Sequence, residues 1–325
     1  MKKTITKSVV IGGGSWGTTI ALGLNNNNKN TTIITSTLKK NRNEKFKNLK
    51  ITENYKEIVP ESDLIILAVP SHALRKSVLK ISPYISPHTL VLSATKGLEN
   101  STNKISTNVI YEELKNSIQE KQIGVMSGPN LSKEIQDGKI ALTTIAFPEL
   151  SNAKAVQDYL SSKIFRPYTS TDLIGVQYGG SLKNIIAIAS GFLDQSNYGD
   201  NSKSSLIVRG LNEIRILGVA QGAKEETFYG LSGIGDLITT CYSNLSRNYQ
   251  FGVLISEGFS VNQAKDKIVQ TIEGIDTTKS AYNLGKKNNL DLPILYSIYK
   301  VIHENFTPQE VISELMSRNL KSENS

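Results

Sequence analysis

Val9-Val10-Ile11-Gly12-Gly13-Gly14-Ser15-Trp16-Gly17-Thr18-Thr19-Ile20-Ala21 is the stretch that decides the fold. A β-branched run stops at three glycines and a helix-compatible segment follows, so a G-x-G-x-x-G pattern falls at a strand-to-helix turn. Gly12 suits the tight turn, Gly14 lets a ligand approach the backbone, and Gly17 lets helix and strand pack closely. Unpaired N–H groups at the helix start favour negative charge, which makes the turn a seat for a pyrophosphate. An isolated glycine-rich turn is often only a turn; this one opens a series of alternating strands and helices, which favours a dinucleotide.

Working outward, short aliphatic runs recur at Ser8 to Ile11, Thr32 to Thr35, Leu64 to Val69, Leu90 to Ser93, Gly124 to Ser127 and Leu142 to Phe147, with helical stretches between them. Continuous rather than alternating apolar strands indicate a parallel sheet covered on both faces. The polar tract Asn25 to Asn30 reads as a loop between the first helix and the second strand. Beyond Thr171 only helical patterns remain: Asp172 to Leu193, Ser204 to Leu217, Arg247 to Glu257 and Leu292 to His303. The expected fold class is α/β, an N-terminal Rossmann-type, mostly parallel doubly wound sheet in residues 1–175, followed by an all-α C-terminal domain in residues 176–325.

At 325 residues with 38% hydrophobic and 20% charged positions, the chain has the composition of a globular protein with a packed core. The single cysteine, Cys241, has no internal disulfide partner and belongs to no Cys/His cluster with metal-ligand spacing, so it reads as a small buried hydrophobe in a reducing, cytoplasmic setting and no metal is expected. Lys2, Lys3 and Lys7 precede an apolar run too short for a signal peptide, and no stretch approaches the ~20 apolar residues that cross a bilayer. Net charge is +8, with 37 basic and 29 acidic residues, and the lysines are scattered without interleaved aromatics. That pattern suits a solvated surface and an enzyme of anionic phosphates, with neither nucleic acid nor membrane insertion expected.

An NAD-specific turn places an acidic residue about 20 positions downstream on the ribose 2′-hydroxyl. No Asp or Glu lies between Gly17 and Glu44, whereas Ser36, Thr37, Lys39, Lys40 and Arg42 suit a 2′-phosphate. NADPH is therefore expected to serve at least as well as NADH, the alternative being that these cations are simply exposed on the second helix.

Apolar residues surround almost the whole circumference of the helix from Ile174 to Gly191, so that helix is expected to be buried. Lys183 lies on it with Gly179 and Gly180 a turn before and Ala187 a turn after, a stripe of small residues that leaves room for a ligand. A buried ammonium is either paired or driven towards neutrality, and both structural pairing and proton chemistry remain open for Lys183. Asp236 arrives on the glycine-spaced turn Gly230-Leu231-Ser232-Gly233-Ile234-Gly235, either to orient a lysine or bind a hydroxyl, or to cap the next helix. Ser246-Arg247-Asn248 opens a helix, with Ser246 as N-cap and Arg247 as a guanidinium suited to phosphate.

These blocks, together with Ala68-Val69-Pro70-Ser71, Thr95-Lys96-Gly97-Leu98-Glu99, Ser127-Gly128-Pro129, Arg209-Gly210-Leu211 and Glu273-Gly274, resemble the bacterial NAD(P)-dependent glycerol-3-phosphate dehydrogenase family from residue 8 to roughly residue 315. The resemblance implies Lys183 as proton acceptor, with Lys96, Gly128, Asn130, Asp236, Ser246, Arg247 and Asn248 around the substrate. It implies Ser15, Trp16, Lys96, Ser132, Arg247, Thr271 and Glu273 as cofactor contacts, homodimers, and a role in supplying the glycerol phosphate of membrane lipids. Thr37, Asn130, Ser132 and Thr271 depart from the residues usual at those positions. The implied chemistry is hydride transfer that reduces dihydroxyacetone phosphate to glycerol 3-phosphate. The rival readings are a relative of the 6-phosphogluconate or 3-hydroxyacid dehydrogenases, and a non-catalytic dinucleotide sensor or basic nucleic-acid binder that kept the fold.

Overall fold

The computed structural model describes residues 4–36, 48–268 and 270–323. Eight strands, β1 (Lys7–Ile11), β2 (Asn30–Ile34), β3 (Lys50–Thr52), β4 (Leu64–Leu67), β5 (Leu90–Ser93), β6 (Ile123–Ser127), β7 (Ala141–Ala146) and β8 (Phe165–Ser170), form one sheet in the order β3-β2-β1-β4-β5-β6-β7-β8. All pairings are parallel except β6 with β7. Helices α1 (Ser15–Asn26), α2 (Tyr55–Ile58), α3 (Ser71–Ile81), α4 (Ser106–Leu114), α5 (Ser132–Gln136) and α6 (Leu150–Leu160) accompany the strands. Val10, Leu64, Ile66 and Leu92 point into one buried layer and Val9, Ile65, Leu67 and Val91 into the other, so both faces of the sheet are covered.

From β1 the chain first builds outward through β2 and β3, then crosses to β4 and continues the other way. The strand order reverses between β1 and β4, and ligands of such sheets bind at that crevice, beyond the carboxyl ends of the strands.

The second half is helical: α7 (Leu173–Gln195), α8 (Gly199–Ala220), α9 (Asp236–Tyr242), α10 (Arg247–Ser256), α11 (Val261–Lys267), α12 (Glu273–Lys287), α13 (Pro293–His303) and α14 (Pro308–Met316). Asp172 starts α7, its Oδ1 accepting from Gly175 N at 2.9 Å while Oδ2 accepts from Lys224 N and Thr227 Oγ1. Every residue of α7 from Gly175 to Leu193 is buried, as the apolar circumference requires. The other helices pack around it, and the change from sheet to helices falls between Ser170 and Leu173.

Several local expectations need correction. Strands β3 and β8 escape a reading by aliphatic runs, because Lys50-Ile51-Thr52 is only three residues long and Phe165-Arg166-Pro167-Tyr168-Thr169-Ser170 is half exposed at the sheet edge. The tract Asn25 to Asn30 is not all loop: α1 runs to Asn26, β2 starts at Asn30, and Asn28 makes the reversal with φ of 55°. Asparagine reaches that left-handed conformation more readily than other side chains. The glycine-spaced segment before Asp236 is a π-helical turn, Leu231–Gly235, running directly into α9. Asp236 is therefore inside a continuous helix and does not serve as its N-cap.

Candidate active site

The glycine turn has the geometry its sequence demands. Gly12 has φ of +118°, and a side chain there would collide with the Ala68 carbonyl after β4. One at Gly17 would collide with the Gly12 carbonyl and press on Ala68 Cβ at 3.1 Å, so this glycine sets how closely α1 approaches the strands. Gly14 is different: a Cβ there meets nothing within 4 Å. The backbone is thus bare at the start of α1, with exposed Ser15 and half-buried Trp16 beside it. These features fit a dinucleotide pyrophosphate, which needs an uncovered helix start and no intruding side chain.

Lys96 follows β5 and Gly128 follows β6, so both lie on the edge of the sheet that carries the glycine turn. Lys96 Nζ donates to the Gly128 carbonyl at 3.1 Å and to Asp236 Oδ2 at 2.6 Å. From the helical half, Lys183 Nζ donates to Asp236 Oδ1 and to Thr240 Oγ1, the latter at 2.6 Å. One carboxylate therefore holds two ammonium groups, one from each half of the molecule. Thr240 lies four residues after Asp236, one turn along α9, and its hydroxyl also donates to the Asp236 carbonyl at 2.6 Å.

Lys183 is 6% exposed. Desolvation lowers its pKa from the ordinary lysine value to about 7, although the facing Asp236 carboxylate pulls the other way. Lys183 is thus paired with Asp236 and at the same time pushed towards neutrality by burial. The small residues before it serve chain packing more than open space. Gly179 admits the Ser232 carbonyl, 2.5 Å from where a Cβ would stand, and a Cβ at Gly180 would collide with Ser127 Oγ.

Arg247 begins α10 as an exposed side chain, and Ser246 caps that helix by accepting from Tyr249 N at 3.3 Å. Asn248 is buried, with Oδ1 accepting from Gly274 N at 2.9 Å at the start of α12. The neighbouring Glu273 accepts from Ser71 Oγ at 2.7 Å and Ser71 N at 3.3 Å, tying the first turn of α12 to the first turn of α3 across 202 residues of chain. Burial pushes its carboxyl above the ordinary range, against the Ser71 donors. Asn130 Nδ2 donates to the Pro129 and Leu142 carbonyls, each at 3.0 Å. Ser132 stands at the start of α5 and Thr271 just before α12, both half-buried.

Thr37, Lys39, Lys40 and Arg42 lie outside the described residues; Ser36 is described and exposed. Cys241 is fully buried, and desolvation pushes its thiol up to about 12, which suits a hydrophobe and not a nucleophile. Three partners escaped the sequence reading: Thr240, Ser71, and Ser181, whose Oγ accepts from Gly97 N at 2.8 Å and so braces the loop carrying Lys96. Only Thr240 had a local signal, its four-residue spacing from Asp236. Ser71 and Ser181 meet their partners through tertiary packing alone.

Sequence profiles described as NAD-dependent glycerol-3-phosphate dehydrogenase N-terminus and C-terminus match residues 7–153 and 172–313, respectively. The glycerol-3-phosphate dehydrogenase (NAD(P)+) of Fusobacterium nucleatum is 39% identical, with 98% of this chain and 99% of the relative covered. That of Francisella tularensis subsp. novicida is 34% identical over the whole of both chains. Among solved structures, glycerol-3-phosphate dehydrogenase from Coxiella burnetii is similar with a TM-score of 0.87 at 30% identity, covering 96% of this chain and 99% of the other. With both halves matched and the relatives covered end to end, the chain belongs to the NAD(P)-dependent glycerol-3-phosphate dehydrogenase family.

Proposed function

We propose that this protein reduces dihydroxyacetone phosphate to sn-glycerol 3-phosphate with NADPH or NADH, and that the product feeds glycerophospholipid synthesis. The observation that carries the reading is the meeting of Lys96 and Lys183 on Asp236 at the strand-end crevice. Gly12, Gly14, Ser15, Trp16, Gly17, Lys96, Ser132, Arg247, Thr271 and Glu273 would hold the cofactor. When bound, it supplies or takes up the hydride.

The chain's own residues do the rest. Lys183 hands a proton to the substrate's C2 oxygen during reduction and recovers it in the reverse direction, a task favoured by a pKa of about 7. Lys96, with two of its N–H groups committed to Asp236 and Gly128, has a third with which to polarise that oxygen. Asp236 fixes both ammonium groups and offsets their mutual repulsion. Arg247, Ser246, Asn248 and the first turn of α10 receive the phosphate, where a guanidinium and free helix N–H groups favour a dianion. Gly128, whose carbonyl is bonded by Lys96, and Asn130 complete the proposed substrate contacts.

Two further parts of the reading are a homodimeric assembly and a cytoplasmic location. The first rests on the family resemblance and is tested by sedimentation. The second is supported by the buried Cys241 thiol and by the absence, among the described residues, of any helix long and apolar enough to cross a membrane. The decisive assay adds dihydroxyacetone phosphate to purified protein with NADPH or NADH and follows the nicotinamide absorbance. Oxidation of the cofactor matched by glycerol 3-phosphate is the expected result, and no turnover with either cofactor removes the proposal.

A further inference from the structure

Ser127 ends β6 beside Gly128, whose carbonyl accepts from Lys96. The backbone carbonyl of Ser127 is satisfied by Thr143 Oγ1 at 3.0 Å, but its buried hydroxyl has no hydrogen-bond partner among the described residues. A buried hydroxyl left unpaired is a cost that native proteins rarely keep without a use. This one is not lost in an apolar core. It faces Gly180, one turn before Lys183, and a Cβ added to Gly180 would lie 4.0 Å from Asp236 Oδ2 as well as colliding with Ser127 Oγ. Serine hydroxyl and aspartate carboxylate thus approach the same bare Cα.

Nearby, Asn130 Oδ1 is likewise buried without a partner among the described residues, but an amide oxygen can only accept; the other polar groups beside Ser127 are already engaged. Asp236 is engaged by Lys96 and Lys183, Thr240 Oγ1 bonds the Asp236 carbonyl, and Ser181 Oγ accepts from Gly97 N. Under the proposed function, on which this inference rests, the substrate brings a phosphate, a reacting C2 oxygen and a free terminal hydroxyl. Arg247 with the start of α10 answers the phosphate, and the two lysines answer the C2 oxygen. We infer that the Ser127 hydroxyl is the specificity-determining partner of the substrate's terminal hydroxyl. A serine hydroxyl both donates and accepts, so it can pair with another hydroxyl in either direction. A site with a buried group reserved for a substrate hydroxyl rejects the analogue that lacks it, because the protein group is then left unpaired.

The test compares kcat/KM for dihydroxyacetone phosphate and for hydroxyacetone phosphate, the same molecule without that hydroxyl, in the unsubstituted and Ser127→Ala proteins. Thermal unfolding of each ligand-free protein is measured alongside. In Ser127→Ala, kcat/KM for dihydroxyacetone phosphate falls about ten- to hundredfold while that for the deoxy analogue stays within about twofold, so the preference collapses. Tm stays level or rises, since an unpaired buried hydroxyl has been removed. A parallel loss on both substrates, or an unchanged ratio, overturns the assignment; so does a lowered Tm with the ratio intact, which marks a structural serine. Should Ser127→Ala not fold, Ser127→Cys, which keeps the shape and weakens the donor, is read against the same ratio. Failure of the unsubstituted protein to reduce dihydroxyacetone phosphate overturns the proposed function and this inference together, whereas turnover with an unaltered ratio overturns the role of Ser127 alone.

Discussion

The glycines of the turn at residues 12–17 and those of α7 look alike in the sequence and owe their places to different causes. Gly12 has a left-handed φ of +118°, a demand made by the local path of the chain in addition to the Ala68 carbonyl beside it, and Gly14 stands against open space. Gly179 and Gly191 sit in regular helix, where alanine is locally preferred by roughly 1 kcal/mol. What requires them is remote: the Ser232 carbonyl at Gly179 and the Tyr249 carbonyl of α10 at Gly191. Under the proposed function the open side of the turn receives a ligand, whereas the helix receives the rest of the protein. Lys183 belongs to the second region, and its proposed part in the chemistry depends on the packing that buries it and brings Asp236 to it.

The sharpest way to break that contrast is Lys183→Ala. General acid/base help is worth about 10²–10⁴ in rate, so turnover falls by at least that order while circular dichroism shows the fold retained. Near-normal turnover removes Lys183 from the chemistry. The glycines come next. Gly191→Ala forces a methyl group against the Tyr249 backbone and lowers stability by about 1–3 kcal/mol in denaturant titration. Gly14→Ala meets no protein atom, leaves stability within about 0.5 kcal/mol, and instead weakens cofactor binding measured by fluorescence titration. Equal stability losses in the two variants erase the distinction.

The pH profile sharpens it further. Reduction needs Lys183 protonated, so its kcat/KM falls as pH rises through about 7, whereas oxidation of glycerol 3-phosphate needs the neutral amine and rises over the same interval. Profiles of the same sign for both directions contradict that assignment. The smallest expected effect is cofactor choice: with no acidic residue between Gly17 and Glu44, NADPH serves at least as well as NADH in side-by-side assays. A strong NADH preference is the opposing result.

Much of the first half was legible because its signals are local. The run Leu90 to Ser93 is strand β5 residue for residue, and the other aliphatic runs match β1, β2, β4, β6 and β7 to within two residues at either end. What failed lacked aliphatic side chains or length, as with the edge strand Phe165–Ser170, or depended on one backbone reversal, as with Asn28. In the helical half, α7 and α10 were readable from their apolar content and from the Ser246 cap. Ser246 fulfilled a local capping rule, while Asp236, open to the same reading, was taken by lysines 53 and 140 positions away in sequence.

The sequence by itself determined the strand, turn and helix at residues 9–21, the burial of α7, and the types of charged group available, since each follows from backbone sterics or from the period of apolar side chains. Tertiary structure alone decided which carboxylate faces Lys183, how the Ser71–Glu273 contact joins the two halves, and which hydroxyl is left unpaired beside Gly180. Desolvation and ion pairing depend on what surrounds a group in space, and neighbours brought together over scores of residues leave no mark in the local pattern.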